Sequence, residues 1–410
     1  MGEGNILSER NLKFDTIIKL FMFLYIFSLY FLTYQPKLNN ISNLLGFAFI
    51  GLIWLDFLAN KKDFYFDKTL IFYLTFIFFV LASSFIALRQ DLVINMSRTL
   101  MLLFLMGISL ANYIDEYIKI KKIMKYFIWS ASIASIYIIV NADFSNLTRY
   151  GSELGNVNAI GIILGIGLTF VFYFIFEEKK FIYLSSLFVI LPTIILTGSR
   201  KSFLFVFMNI LIVLFLKNKD NWKKILKFII SASIIILLGY YLTFNIPIFY
   251  EILGERIKNL FNFFSHEGTS EGSINTRWIM IKFGYEIFKK RPLFGYGIGN
   301  FAVAYAQKIG GVFTYSHNNF IELLTGIGIF GTIIYYYMQI RLIFILCLNS
   351  KYKNLNYYFL AILFSYIVLS VGLIYYYSKH FMIVLILASL VSQLERKDIK
   401  GSNESIIFEE

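Results

Sequence analysis

The stretch VNAIGIILGIGLTFVFYFIF, residues 157–176, contains no charged residue and no proline. A bilayer core about 30 Å thick takes roughly 20 apolar residues to cross as a helix, and this run has that length and character. It is one of many. Of 410 residues 58% are hydrophobic, 19% aromatic and only 15% charged, and the mean hydropathy is +0.68. No soluble fold of this size needs so much apolar surface. Runs bounded by charges or turn residues lie near 15–35, 41–59, 68–88, 97–113, 122–141, 157–176, 181–197, 201–217, 225–244, 319–345, 355–377 and 379–394. They predict an all-α integral membrane protein of about 12 transmembrane helices, with residues 1–410 forming one polytopic domain. The first run has no small-residue cleavage site and is followed at once by further spans, so it is expected to be an integral helix.

Charge placement supplies the orientation, because short cytoplasmic loops retain Lys and Arg. With the N-terminus inside, the inner segments hold 22 of the 38 basic residues and the short outer loops seven. Both termini are therefore expected in the cytoplasm. The net charge of +13 needs no nucleic-acid partner, since most of the excess would face anionic lipid at the inner leaflet. The single cysteine, Cys347, has no partner for a disulfide or metal site.

Residues 245–318 form one long extracytoplasmic loop, too long for a plain connection and too aromatic for a disordered one. Within it, INTRWIMIKFGYEIFKK places Ile274, Trp278, Ile281, Tyr285 and Phe288 at steps of four and three, with Arg277, Lys282, Glu286 and Lys289 largely off that stripe. This predicts an amphipathic helix along the outer interface, ending before Pro292 and the glycine-broken segment RPLFGYGIGNF. The next span opens at TYSHNNFIELLTGIG, residues 314–327. Asn319 and Glu322 are spaced as an N-cap and its partner, which puts His317 just ahead of the helix. Free N–H groups there attract phosphate and disfavour imidazolium, leaving a neutral proton acceptor. A loop histidine bonded to its neighbours is the alternative. Arg200 and Lys201, in LTGSRKSF, fall between two apolar runs on the outer side; they are either snorkelling anchors or an anion site. Arg277 is either a solvated helix face or a second guanidinium for the same anion.

The order TGSRKSF, NTRW, KKRPLFGYGIGNF and SHNNFIELLTGIGIFG resembles the bacterial O-antigen ligase and polysaccharide polymerase superfamily. RYGSELGNVNAIG, residues 149–161, resembles that family's outer loop before a mid-chain span, and the motif-level similarity covers roughly 149–340. The resemblance implies a C-type glycosyltransferase fold acting on the outer face of the bacterial cytoplasmic (inner) membrane, with no cofactor and no metal. The donor would be a polyprenyl-diphosphate-linked oligosaccharide and the acceptor a glycan or lipid-glycan, with other polysaccharide-assembly membrane proteins as further partners. It makes His317 the catalytic base and Arg200 and Arg277 the diphosphate-holding pair, with Lys201, Asn318, Gly295, Gly297, Gly299, Asn158 and Arg149 in support. No outer Asp-x-Asp pair occurs to hold a divalent metal. The expected product is polymerised O-antigen or capsule repeat units. A ligase joining finished glycan to lipid A core is the nearest alternative. A flippase is the rival of another class, although no internal repeat supports it.

Overall fold

The computed structural model describes residues 2–35, 37–61, 63–143, 150–246, 250, 254, 257–258, 272–310, 313–348 and 353–407. Arg149 and His266 lie outside this set. The described residues form helices and connections, with no strand. In chain order the helices are α1 (Gly2–Phe31), α2 (Asn39–Ala59), α3 (Lys68–Ala82), α4 (Gln90–Tyr113), α5 (Tyr117–Val140), α6 (Val157–Phe176), α7 (Leu184–Leu196), α8 (Arg200–Asn218) and α9 (Trp222–Asn245). Within the long loop lie α10 (Gly272–Lys290) and α11 (Phe301–Ile309), and after it come α12 (Asn319–Leu348), α13 (Lys353–Leu369) and α14 (Lys379–Ile407). Each expected span falls on one of these helices. Among the described residues, eight helices are long and apolar enough to cross a membrane, and the apolar stretches 181–196, 354–369 and 379–394 are shorter. The chain is an all-α polytopic membrane protein.

Helix α6 is the centre of the bundle: 83% of its apolar window is buried, against 28% for α2 and for α8. Between lipid-exposed helices there is no hydrophobic drive to associate, so close approach and polar contacts hold them. A Cβ on Gly161 would lie 2.1 Å from Ser202 Oγ, so glycine is what lets α8 settle against α6. Deeper in the same interface Asn209 donates to Thr169 Oγ1 at 2.9 Å and accepts from Ser365 Oγ at 2.7 Å, tying α8 to α6 and α13. Large apolar side chains such as Phe85, Val140 and Ile182 are exposed, as expected where lipid replaces water.

α12 is broken at Gly328, whose φ of 69° and ψ of −169° leave the helix. Inside a membrane protein the freed backbone groups must find partners. The glycine-rich segment supplies them: the Tyr296 and Gly297 N–H groups donate to the carbonyls of Thr325 and Gly326 at 2.8 and 2.9 Å, and Ile329 N–H donates to Pro292 O at 2.8 Å. A Cβ at Gly295 would strike the Gly326 backbone at 2.6 Å. GYGIGNF is thus a backbone wedge seated in the kink.

The amphipathic helix exists as α10, but its packed face differs from the expected stripe. Met280, Phe283 and Ile287 are the buried positions and form a small cluster with Phe301, Tyr305 and Ile321. Trp278 and Tyr285 are 48% and 51% exposed, and the side chain of Ile274 lies outside the described set. Gly284 explains the choice, because a Cβ there would meet Ile321 Cγ2 at 2.2 Å. The bare backbone brings α10 onto the start of α12, while Trp278 and Tyr285 stay exposed.

Candidate active site

A cavity of about 370 Å³ gathers the first residues of α2, α6, α8 and α14, part of α4 and the approach to α12. Its polar lining includes Asn39, Asn158, Lys201, His317, Lys379 and His380. Several helix N-termini thus meet at one end of the bundle, where their dipoles favour an anion.

His317 is held by a compact set of contacts. Ser316 is fully buried; its N–H donates to Glu322 Oε2 at 3.1 Å and its hydroxyl donates to Asn318 O at 2.8 Å. The cap of α12 is Asn318, whose Oδ1 accepts from Ile321 N–H at 3.0 Å. This corrects the expected Asn319–Glu322 capping box by one residue. Asn319 instead points into the core, accepting from the Tyr375 and Tyr376 N–H groups at 3.1 and 3.3 Å and donating to Tyr336 Oη at 2.9 Å. It thereby docks the turn after α13 against α12, which is why α13 stops at Leu369 rather than running to 377. His317 itself has φ of 55°, a left-handed conformation uncommon for a side-chain-bearing residue, and its ring lies 4.1 Å from that of Tyr315.

The imidazole is pushed down from its ordinary value to about 4, first by burial and then by the positive charges of Arg277 and Lys201. It is therefore neutral at pH 7, by burial and neighbouring cations. Arg277, half-buried on α10, acts electrostatically on both His317 and Tyr315. Lys201 lies in the cavity wall and donates to the Gly372 carbonyl. Arg200, the first residue of α8, is half-buried and is absent from that wall. Of the two consecutive cations it is Lys201 that lines the space.

The upstream motif joins the same end. Asn156 caps α6 by accepting from the Asn158 and Ala159 N–H groups, and Asn158 Oδ1 accepts from Ser199 Oγ at 3.0 Å. Ser199 in turn caps α8. The GNVN and TGSRKS segments are therefore one unit that sets Lys201. Gly295 and Gly297 sit in the wedge on α12, outside the cavity that holds His317, and Gly299 lines a neighbouring space.

Two residues in the wall carry no motif. His380 is only 6% exposed and shares the cavity with His317; its Nδ1 lies 3.4 Å from Tyr34 Oη. Lys379 donates to Asn43 Oδ1 at 2.7 Å and, more weakly, to Ser42 and Asn39. The signal available in the sequence was a basic pair, Lys379–His380, opening the last apolar run after a tyrosine triplet.

These features define a polytopic membrane protein with a basic, tyrosine-walled cavity at one end of its bundle. A family model described as O-antigen ligase matches residues 184–336, a span that includes Arg200, Arg277, the glycine wedge and His317. The match supports the O-antigen ligase and polysaccharide polymerase superfamily for this chain, and with it a membrane enzyme of glycosyltransferase type in polysaccharide assembly. No curated protein matches the chain.

Proposed function

We propose that the protein transfers glycan from a polyprenyl-diphosphate-linked donor to an acceptor hydroxyl, at the outer face of the bacterial cytoplasmic membrane, polymerising surface-polysaccharide repeat units. The observation that carries this reading is the neutral His317 set in a cavity whose charged lining is cationic, with Arg277 acting on it from α10. Arg277, Lys201 and the adjacent Arg200 hold the donor diphosphate and offset the negative charge that grows on it as the glycosidic bond breaks. His317 takes the proton from the acceptor hydroxyl as its oxygen attacks the anomeric carbon. Attack opposite the departing diphosphate inverts that carbon. No metal is assigned a role, because cationic side chains serve the leaving group.

The orientation follows from the excess of Lys and Arg at the end opposite His317, with both termini in the cytoplasm. A ligase would use the same donor machinery and differ in its acceptor. A flippase would move lipid-linked glycan without cleaving it, and has no use for a buried neutral base among cations. The test is transfer by purified, reconstituted protein from a lipid-linked oligosaccharide, with release of polyprenyl diphosphate and no nucleotide sugar present. His317→Ala is expected to lower turnover by about 10²–10⁴-fold while donor still binds. Near-wild-type turnover in that variant would remove the base from the mechanism.

A further inference from the structure

A second cavity, of about 310 Å³, lies across a partition from the one that holds His317. Its own walls include Asn95, Met96, Gly299, Ala302, Glu322 and Tyr376. The partition is made by Thr99, Tyr315, Ile374 and Tyr377, which border both spaces. Tyr315 and Tyr377 are 42% and 39% exposed, an unusual degree for aromatic rings facing an internal division.

The two spaces differ in charge. The first carries Lys201 and Lys379 and no carboxylate among its described lining residues; the second carries Glu322 and no Lys or Arg among its own. With no cation among its described lining residues, the second space offers a diphosphate none of the charge-assisted hydrogen bonds that the first one does. An amide (Asn95), a hydroxyl (Thr99), the Glu322 carboxyl group and exposed aromatic faces are instead what sugar hydroxyls and the apolar faces of a sugar ring bind.

We propose that this second cavity is the acceptor subsite, that it takes an uncharged sugar, and that it excludes acceptor sugars carrying phosphate. The assignment rests on the transferase reading above and fixes which side of His317 each substrate occupies. The acceptor hydroxyl crosses the Tyr315–Tyr377 partition to the anomeric carbon held in the first cavity. The new bond joins acceptor oxygen to that carbon, the bond from carbon to diphosphate oxygen breaks with its electron pair leaving on the diphosphate, and the acceptor proton passes to His317. An acceptor restricted to uncharged sugar favours chain extension over transfer to a phosphorylated core.

The test uses the free oligosaccharide released from the lipid-linked donor by mild acid, and the same oligosaccharide bearing one added phosphate. In reconstituted protein, Asn95→Leu, at an exposed position, and Met96→Trp, which fills the space, are expected to raise KM for the neutral oligosaccharide at least tenfold and to leave donor KM within twofold. The phosphorylated form is expected to be the poorer acceptor for wild type. Independently of turnover, Ala302→Cys and Asn95→Cys, each in a Cys347→Ser background, are expected to be protected from alkylation by the neutral oligosaccharide and not by farnesyl diphosphate. Protection of Asn158→Cys, in the first cavity, by farnesyl diphosphate tests the donor reading separately. Unchanged acceptor KM in both Asn95→Leu and Met96→Trp, an equal rise in donor KM, or protection at Ala302 and Asn95 by farnesyl diphosphate in place of the oligosaccharide would overturn the assignment.

Discussion

The cations lining the His317 cavity and those at the opposite end of the bundle are held in opposite ways. At the end away from His317, carboxylates sit beside the cations: Glu177 accepts from Lys217 at 2.6 Å and from Tyr358 at 3.0 Å, and Glu178 accepts from Lys121 at 2.5 Å with Lys180 at 3.2 Å. At the His317 end, Lys379 is held by two amide oxygens and a hydroxyl, and Lys201 donates to a backbone carbonyl. Neutral acceptors satisfy the N–H groups without cancelling the charge. The first arrangement is a set of ion pairs that anchors the bundle; the second sets Lys201 and Lys379 in the wall of the cavity, where an incoming anion meets them.

Substitutions on the two sides should therefore fail differently. The largest effect after loss of His317 is expected from Arg200→Lys combined with Arg277→Lys, which keeps formal charge and removes the planar guanidinium forks. Turnover should fall by about 10²-fold, measured as polyprenyl diphosphate released, with protein in the membrane near its normal level. Full activity would mean that point charges suffice and that the two arginines make no paired contacts.

Glu322→Ala should come next. It removes the carboxylate that holds Ser316 N–H and so loosens the left-handed His317; misplacing a base by about 1 Å costs about 10²-fold at most. The loss should appear in kcat, and Glu322→Gln, which keeps an acceptor oxygen, should recover much of it. An unaltered kcat in Glu322→Ala would show that Asn318 and Ser316 position the histidine unaided.

A smaller, paired test sets the ends directly against each other. Lys379→Met is expected to raise donor KM by about tenfold, the order of one charge-assisted hydrogen bond. Lys217→Met should leave both kinetic constants within about twofold, its ion pair being partly exposed and correspondingly weak. Equal kinetic effects of the two would dissolve the distinction.

Much of this organisation was legible in the amino-acid order. Hydropathy located the helices because a bilayer admits few alternatives, and the motif order pointed to His317 and Arg277. What it left obscure depends on which element meets which. The span expected to reach 377 stops at Leu369 because Asn319 accepts from the Tyr375 and Tyr376 backbone, a satisfaction no window of hydropathy can register. The aromatic stripe of α10 was the visible one, yet Gly284 decides the packed face by allowing contact with Ile321. Lys379 and His380 open a span like any other until the bundle brings that opening beside His317. The glycine segment suggested a shaping element; its seat in the break at Gly328 became apparent only in three dimensions.

The role given to His317 is tested most directly by the pH dependence of kcat/KM for glycan transfer. Only neutral imidazole accepts the acceptor proton. Burial, with Arg277 and Lys201 beside it, lowers the group from 6.5 to about 4, so the active form persists well into mildly acidic solution and is lost as pH falls through about 4. Wild type should give a rate that is level from neutrality down to about pH 5 and then drops with unit slope, with fold integrity followed in parallel by near-UV circular dichroism. His317→Ala should lack that limb in its residual activity. A fall already half complete near 6.5, or the same acidic limb in wild type and His317→Ala, would contradict a buried, cation-flanked His317 as the base.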